Sequence, residues 1–216
     1  MSHVNPRPPS EAPGLQPVFQ AAEAAMGFVP NSMRIMAHMP QLPFAFASLA
    51  NVVFGGDLKA LMAGLANRMP GQEDAAQNLP PGLVQLIAFA ASLAAGCRYC
   101  QAHTSHSAHR AGADTAKLDA ILNFEESLLF SEAERAALAL AFAAGSVPNE
   151  SAPGHFKRLR EHFTDRQIVQ IVGVIALFGF LNRWNDTLAT ELEETPRDFA
   201  AKGLSGLEWQ VGKHAS

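Results

Sequence analysis

Apolar residues recur along this chain at helical spacing, and no stretch alternates convincingly with a period of two. Alanine, leucine and phenylalanine are abundant, while runs of β-branched residues are scarce. A first helix is expected from about Leu15 to Met26, ended by Gly27 and the Pro30–Asn31 turn. A second should follow Pro40, from about Gln41 to Phe54. Met69 to Pro81, with three prolines and polar fillers, predicts a linker. A buried helix then runs from about Pro81 to Ala95, proline suiting the first turn where its missing N–H is not needed. Gly96 should break or bend it. The next helix, about Cys97 to Ala111, should stop at Gly112 in a left-handed cap. Asp114 can cap a short helix, and Ser131–Glu134 reads as a capping box for Glu132 to Ala144, with Gly145 as the stop. Thr164–Gln167 is a second capping box, opening Ile168 to Leu181, and a further helix is expected from about Arg183 to Glu193. The fold class is therefore all-α.

The chain also resembles itself. Shifted by 85 residues, Leu83-Val84-Gln85-Leu86-Ile87 lies on Ile168-Val169-Gln170-Ile171-Val172, and Cys97-Arg98-Tyr99-Cys100 lies on Asn182-Arg183-Trp184-Asn185. This predicts two related helical hairpins, about 81–111 and 166–194, around a pseudo-twofold axis, with thiols in the first copy only. Residues 1–14 are polar and proline-rich and are expected to form a flexible lead, with 15–216 as a single helical domain.

Composition narrows the class further. The 216 residues are 48% hydrophobic and 17% charged, enough for a real core. A net charge of −4 and the lack of any basic run argue against nucleic acid or an anionic membrane as partner. The N-terminus has no apolar core of the secretory kind. The longest apolar runs, Leu83–Gly96 and Ile168–Leu181, cover about 14 residues each, short of the ~20 that span a bilayer. A soluble, cytoplasmic protein is the expectation.

Only two cysteines are present, Cys97 and Cys100. A disulfide closing so small a loop restricts the unfolded chain little, so the pair reads as redox or metal chemistry rather than a staple. Residues at i and i+3 are neighbours on one helix face. If the pair opens a helix after Gly96, unpaired N–H groups and the helix dipole favour a thiolate. Arg98 adds positive charge. Such a thiolate attacks a peroxide O–O bond or a disulfide sulfur, and the partner cysteine can resolve the sulfenic acid that results. His103 and His106 follow Cys100 at three-residue steps and can share its face. On an unbroken helix, Gln85 would fall within ~60° of Cys100 and His103. Zinc held by Cys97, Cys100, His103 and His106 has the right ligand count, but four ligands at three-residue steps on one helix cannot easily surround an ion.

Four stretches resemble the AhpD-like alkylhydroperoxidase and carboxymuconolactone decarboxylase family: Gly27-Phe28-Val29-Pro30-Asn31-Ser32, Gly96-Cys97-Arg98-Tyr99-Cys100-Gln101-Ala102-His103-Thr104, Phe130-Ser131-Glu132-Ala133-Glu134-Arg135 and Phe180-Leu181-Asn182-Arg183-Trp184-Asn185-Asp186. The resemblance implies packed antiparallel helices, a homo-oligomer, and reduction of hydroperoxides without haem, metal or other cofactor. It implies Cys100 as the attacking thiol and Cys97 as its resolving partner, although C-x-x-C chemistry elsewhere often favours the first cysteine. Two departures stand out. The family's relay glutamate is replaced by Gln85, which cannot carry a titrating proton. Its relay histidine falls at Thr104, with His103 one residue earlier, a turn of ~100° on a helix. Thiolate activation is then expected to rest on His103, Arg98 and the helix terminus, with Tyr99, Thr104 and His106 in support.

The expected function is a thiol peroxidase acting through a C-x-x-C dithiol/disulfide cycle, recycled by an unidentified dithiol or protein reductant. A general dithiol–disulfide oxidoreductase, a redox-sensing or binding module and a decarboxylase-like enzyme are the alternatives. The last generally does not depend on a C-x-x-C pair.

Overall fold

A computed structural model describes residues 2–65, 70–71 and 75–215, all helices and connections with no strand among them. The chain divides into two compact units, Met1–Asn78 and Leu79–Ser216. Of the expected 69–81 linker, residues 69 and 72–74 lie outside the described residues, and Ala75–Gln77 forms a single 3-10 turn.

The first unit contains α1 (Gln16–Met26), α2 (Asn31–Met36), α3 (Leu42–Val53) and α4 (Leu58–Leu65). Gly27 ends α1 in the left-handed region at φ 80°. Leu15, Val18, Phe19, Met33, Ala37, Phe44 and Leu65 form its core. The proline-rich lead is tied to this unit. Val4 and Ala12 are buried, the Arg7 guanidinium donates to the carbonyls of Ala37 and Glu11, and Arg34 donates back to the Arg7 carbonyl.

The second unit is built on α5 (Pro81–Ala95), whose Leu86 to Ala91 are sealed on every side. Around it stand α6 (Arg98–Arg110), α8 (Glu132–Gly145) and α10 (Asp165–Leu188). Between them run α7 (Thr115–Asp119), α9 (Pro153–Arg160) and, after α10, α11 (Glu194–Gly203). Asp114 accepts from the Ala116 N–H, and the boxes at Ser131 and Thr164 are both closed, each such cap contributing about 1 kcal/mol. The glycine expected to stop α8 has another role: Gly145 is its last helical residue. A Cβ there would lie 2.9 Å from Ala91 Cα, so the missing side chain lets α8 lie directly on α5. Ala136, Ala137 and Ala141 of α8 are buried as well.

Two expectations fail in the second unit. The helices expected at 168–181 and 183–193 are one continuous 24-residue helix, α10. It is long and apolar enough to cross a membrane by length and composition, unlike the 14-residue run read from the sequence; its Ile168, Ile171 and Ile175 are buried in the unit's core. The hairpin repeat fails with it: 81–111 is two helices joined at Gly96, whereas 166–194 is mainly one. Gly96 adopts φ 75°, but the 85-residue shift places Leu181 there, and a branched side chain opposes that conformation.

Candidate functional site

Gly96 both ends α5 and aims the chain back, so α5 and α6 pack as a hairpin with Cys97 at the N-cap of α6. Cys100 follows one turn later. Both thiols are free and buried, at 0% and 2% exposure, and the two residues approach to 3.5 Å. The Asn185 amide, from α10, donates to Cys100 Sγ at 3.6 Å and to the Leu181 carbonyl at 3.0 Å.

The two thiols differ in acidity. The Cys100 side chain donating to Cys97, then the Cys100 backbone N–H and the His214 imidazole, hold Cys97 down at about 6 against the opposing effect of burial. Cys100 moves far upward, because it acts as donor to Cys97, is buried and faces the Cys97 charge. These shifts make Cys97 the more acidic thiol of the pair, whereas the family resemblance implies Cys100 as the attacking one.

His103 does not serve the pair. Its Nε2 meets a Glu193 carboxylate oxygen at 2.7 Å, and its ring stacks on Tyr99 at 4.4 Å. Tyr99 donates to the other Glu193 oxygen at 3.0 Å. Burial and that carboxylate raise the Tyr99 phenol to about 12. Burial opposes ionisation of Glu193, but its own backbone N–H, His103 and Tyr99 outweigh it and hold the carboxyl below its usual range. Arg98 turns to Gln101 at 3.1 Å. Thr104, at the position of the missing histidine, donates to the Cys100 carbonyl at 2.6 Å. His106 packs on Phe199 with ring centroids 5.2 Å apart. Gln85 is half-buried on α5, before the Gly96 reversal, so the straight-helix alignment with Cys100 does not hold.

What surrounds Cys97 instead comes from far along the chain. Ligand atoms of Cys97, Asp186 and His214 lie within 4.8 Å of one another. His214 is 1% exposed, and its Nδ1 stands 2.8 Å from the Thr190 carbonyl. Lys213 holds the second Asp186 oxygen at 2.7 Å. An ammonium on that carboxylate opposes a divalent cation in the same place, so the cluster suits proton exchange better than metal binding. No local motif announces His214 or Glu193. Asp186 and Asn185 belong to the Phe180–Asp186 stretch that carries the family resemblance. Beside Tyr99 and His103 opens a groove of about 530 Å³ lined by Glu191, Leu192, Glu193, Glu194 and Arg197.

The family model of the carboxymuconolactone decarboxylase family matches residues 60–143. A debrominase, Bmp8, is 35% identical in its apo crystal structure, covering 93% of this chain and 97% of that one with a TM-score of 0.57. A cysteine-to-alanine variant of Bmp8 in complex with 2,3,4-tribromopyrrole matches equally, at 34% identity over 94% of this chain and 98% of that one, with a TM-score of 0.57. The uncharacterized protein YdfG of Bacillus subtilis (strain 168) is 30% identical over 103 residues, which are 47% of this chain and 67% of the relative. On these matches the chain, all-helical among the described residues, belongs to the carboxymuconolactone decarboxylase family.

Proposed function

We propose that this protein is a dithiol-dependent reductase of hydroperoxides, acting in a reducing cytoplasm. The observation that carries the reading is the pair itself: two free, buried thiols 3.5 Å apart at the start of a helix. The Cys97 thiolate attacks one peroxide oxygen, the O–O bond breaks, and an alcohol leaves once it has gained a proton. The sulfenic acid on Cys97 is displaced by Cys100, giving a disulfide and water. The two electrons come from the pair, and an external dithiol or protein reductant restores them. Three glutamates line the groove against one arginine, so it opposes anionic substrates. That charge disfavours an anionic lactone and hence decarboxylase-like chemistry.

A second reading has its own support in the 35% identity to Bmp8. Reductive debromination needs the same two electrons: an aryl C–Br bond becomes C–H, bromide leaves, and the dithiol closes to a disulfide. One experiment separates the readings. Purified protein with excess dithiothreitol is given hydrogen peroxide, cumene hydroperoxide or brominated pyrroles including 2,3,4-tribromopyrrole. Repeated turnover of peroxide supports the first reading, and bromide release in its place moves the function to the second. Single-turnover oxidation with neither product would leave a sensor and overturn both.

The reading includes a homo-oligomer. Phe44 is buried, but Phe46 and Phe54 are exposed. Val172, Leu177, Phe180, Trp184 and Leu188 also leave a long exposed apolar face on α10, of the kind that marks an interface. Sedimentation should show an assembly at micromolar concentration, and a monomer would remove this part of the proposal.

A further inference from the structure

We propose that His214 takes the Cys97 proton and returns it to the leaving group, with Thr190 and Asp186 holding the imidazole in place. This rests on the dithiol-reductase reading above, and it supplies the base that Gln85 and Thr104 cannot.

The geometry begins with the His214 tautomer. The Thr190 carbonyl can only accept, so Nδ1, 2.8 Å away, carries a proton and donates it. Nε2 is then the nitrogen free to accept. It is buried and makes no hydrogen bond among the described residues, an arrangement that calls for an explanation in a folded protein. Its surroundings supply one. Asp186 Oδ1 lies 3.7 Å from Nε2, and the Cys97 sulfur belongs to the same cluster within 4.8 Å. Neutral Nε2 can accept a proton, and Cys97 is the thiol beside it in the cluster, near enough for transfer through one bridging water. Once protonated, Nε2 faces a thiolate and a carboxylate together, so both neighbours stabilise the imidazolium.

The surroundings are built to hold this arrangement. The Leu192 N–H donates to the His214 carbonyl at 2.9 Å, which ties the tail to the loop between α10 and α11. Gly212, at φ 60°, lies against the Arg98 side chain on α6. The charged and titratable groups facing the imidazole are Cys97 and Tyr99 from α6 and Asp186 from α10. Glu193, from the loop, reaches Tyr99, and Lys213, from the tail itself, engages Asp186. Lys213 neutralises part of the Asp186 charge, which would otherwise repel the Cys97 thiolate.

The step balances. Cys97–SH and neutral His214 become thiolate and imidazolium. The thiolate attacks the hydroperoxide, the O–O bond breaks, and the sulfur takes one oxygen as sulfenic acid. The alkoxide leaving with the other oxygen takes the proton from His214 Nε2, so His214 ends neutral. Cys100 then displaces hydroxide from Cys97, and its own proton completes the water. Disulfide formation removes the thiolate and with it the reason for His214 to stay charged.

Two measurements test this. The first is the pH dependence of Cys97 alkylation by iodoacetamide in Cys100→Ser protein, with and without His214→Gln. The inflection should move upward in the His214 variant, with alkylation at pH 7 slowed by roughly tenfold or more. The same substitution in the otherwise intact protein should slow reduction of alkyl hydroperoxides by roughly 10²-fold. A peracid, whose carboxylate leaves without a proton, should be slowed much less. Equal slowing of both oxidants, or an unchanged alkylation profile, overturns the proposal. The second measurement needs no variant, so it stands if His214→Gln fails to fold. Nitrogen NMR of the intact protein should show His214 as imidazolium in the reduced form at neutral pH and neutral in the disulfide form. A ring that stays neutral where Cys97 ionises overturns the proposal. Alkylation reads the thiol and NMR reads the imidazole, so both score His214 even if no peroxide is turned over, an outcome that would instead sink the reductase reading.

Discussion

The opening turn of α6 and the stretch of α10 lying 85 residues later have parallel sequences and opposite chemistry. One carries Cys97 and Cys100 at a helix N-terminus; the other carries Asn182 and Asn185 in the last two turns of a helix already under way. The difference turns on one residue before each. Gly96 takes a left-handed conformation and forces a new helix to begin, freeing backbone N–H groups beside the first cysteine. Leu181 continues the helix, and the N–H groups that follow are spent on intrahelical bonds. Reactivity here depends on where a helix starts as well as on which residue starts it. The two stretches are also not independent, since Asn185 donates to Cys100 across the helix interface.

The largest effect should come from removing one member of the pair. Cys97→Ser should lower peroxide or debromination turnover by roughly 10³-fold or more, since the attacking atom is lost. Cys100→Ser should allow one oxidation of Cys97 and then stop, which mass spectrometry would show as a stable sulfenic acid or a mixed disulfide. Cys97→Ala should also change the pH dependence of stability. Cys97 ionises more easily in the folded state, at about 6, than in the unfolded chain. The native protein therefore gains stability as pH rises from about 6 towards the free thiol value of ~8.5, and loses it again as pH falls through 6. Urea melts across that range should slope in the native reduced protein and flatten in the variant.

Next in size is the residue that sets the contrast. Gly96→Ala puts a Cβ into a left-handed position and should cost about 1–2 kcal/mol of stability, read as a lower melting temperature. It should also raise the pH at which Cys97 is alkylated, because strain relaxes by distorting the N-cap. A stable variant with an unchanged alkylation profile would show that the helix start contributes nothing to the thiolate. The smallest effect belongs to the α10 side. Asn185→Leu removes one donor to Cys100 and should cost about 1 kcal/mol, and it should slow disulfide closure more than the first oxidation. Stopped-flow separation of those phases checks it.

Much of this architecture was legible in the sequence, because its signals are local. Ser131, Thr164 and Asp114 cap the helices their spacing announces, and Gly96 and Gly112 break the chain where expected. The errors arose where burial overrides local signals. Asn182 and Arg183 read as a helix boundary, yet they sit within an unbroken helix, where tertiary packing decides. The thiol pair was legible for the same local reason. Its proton partner was not: His103 is close in sequence, but Glu193 captures it from 90 residues away, while His214 and Asp186 reach Cys97 from across the fold. Neighbourhood along a helix says which residues can share a face, and says nothing about what another segment will offer that face.

The sealing of the thiols has a consequence for kinetics. With Cys97 and Cys100 at 0% and 2% exposure, neither an oxidant nor a recycling protein meets sulfur without a transient local opening. A dithiol cycle of the proposed kind would therefore have a built-in ceiling. Raising the reductant concentration should speed recycling only until opening becomes the slow step, after which the rate saturates at a value belonging to the fold. Small reagents need a narrower opening than bulky ones, so the plateau for a small dithiol should stand above that for a protein reductant, and the spread between the two measures the size of the opening.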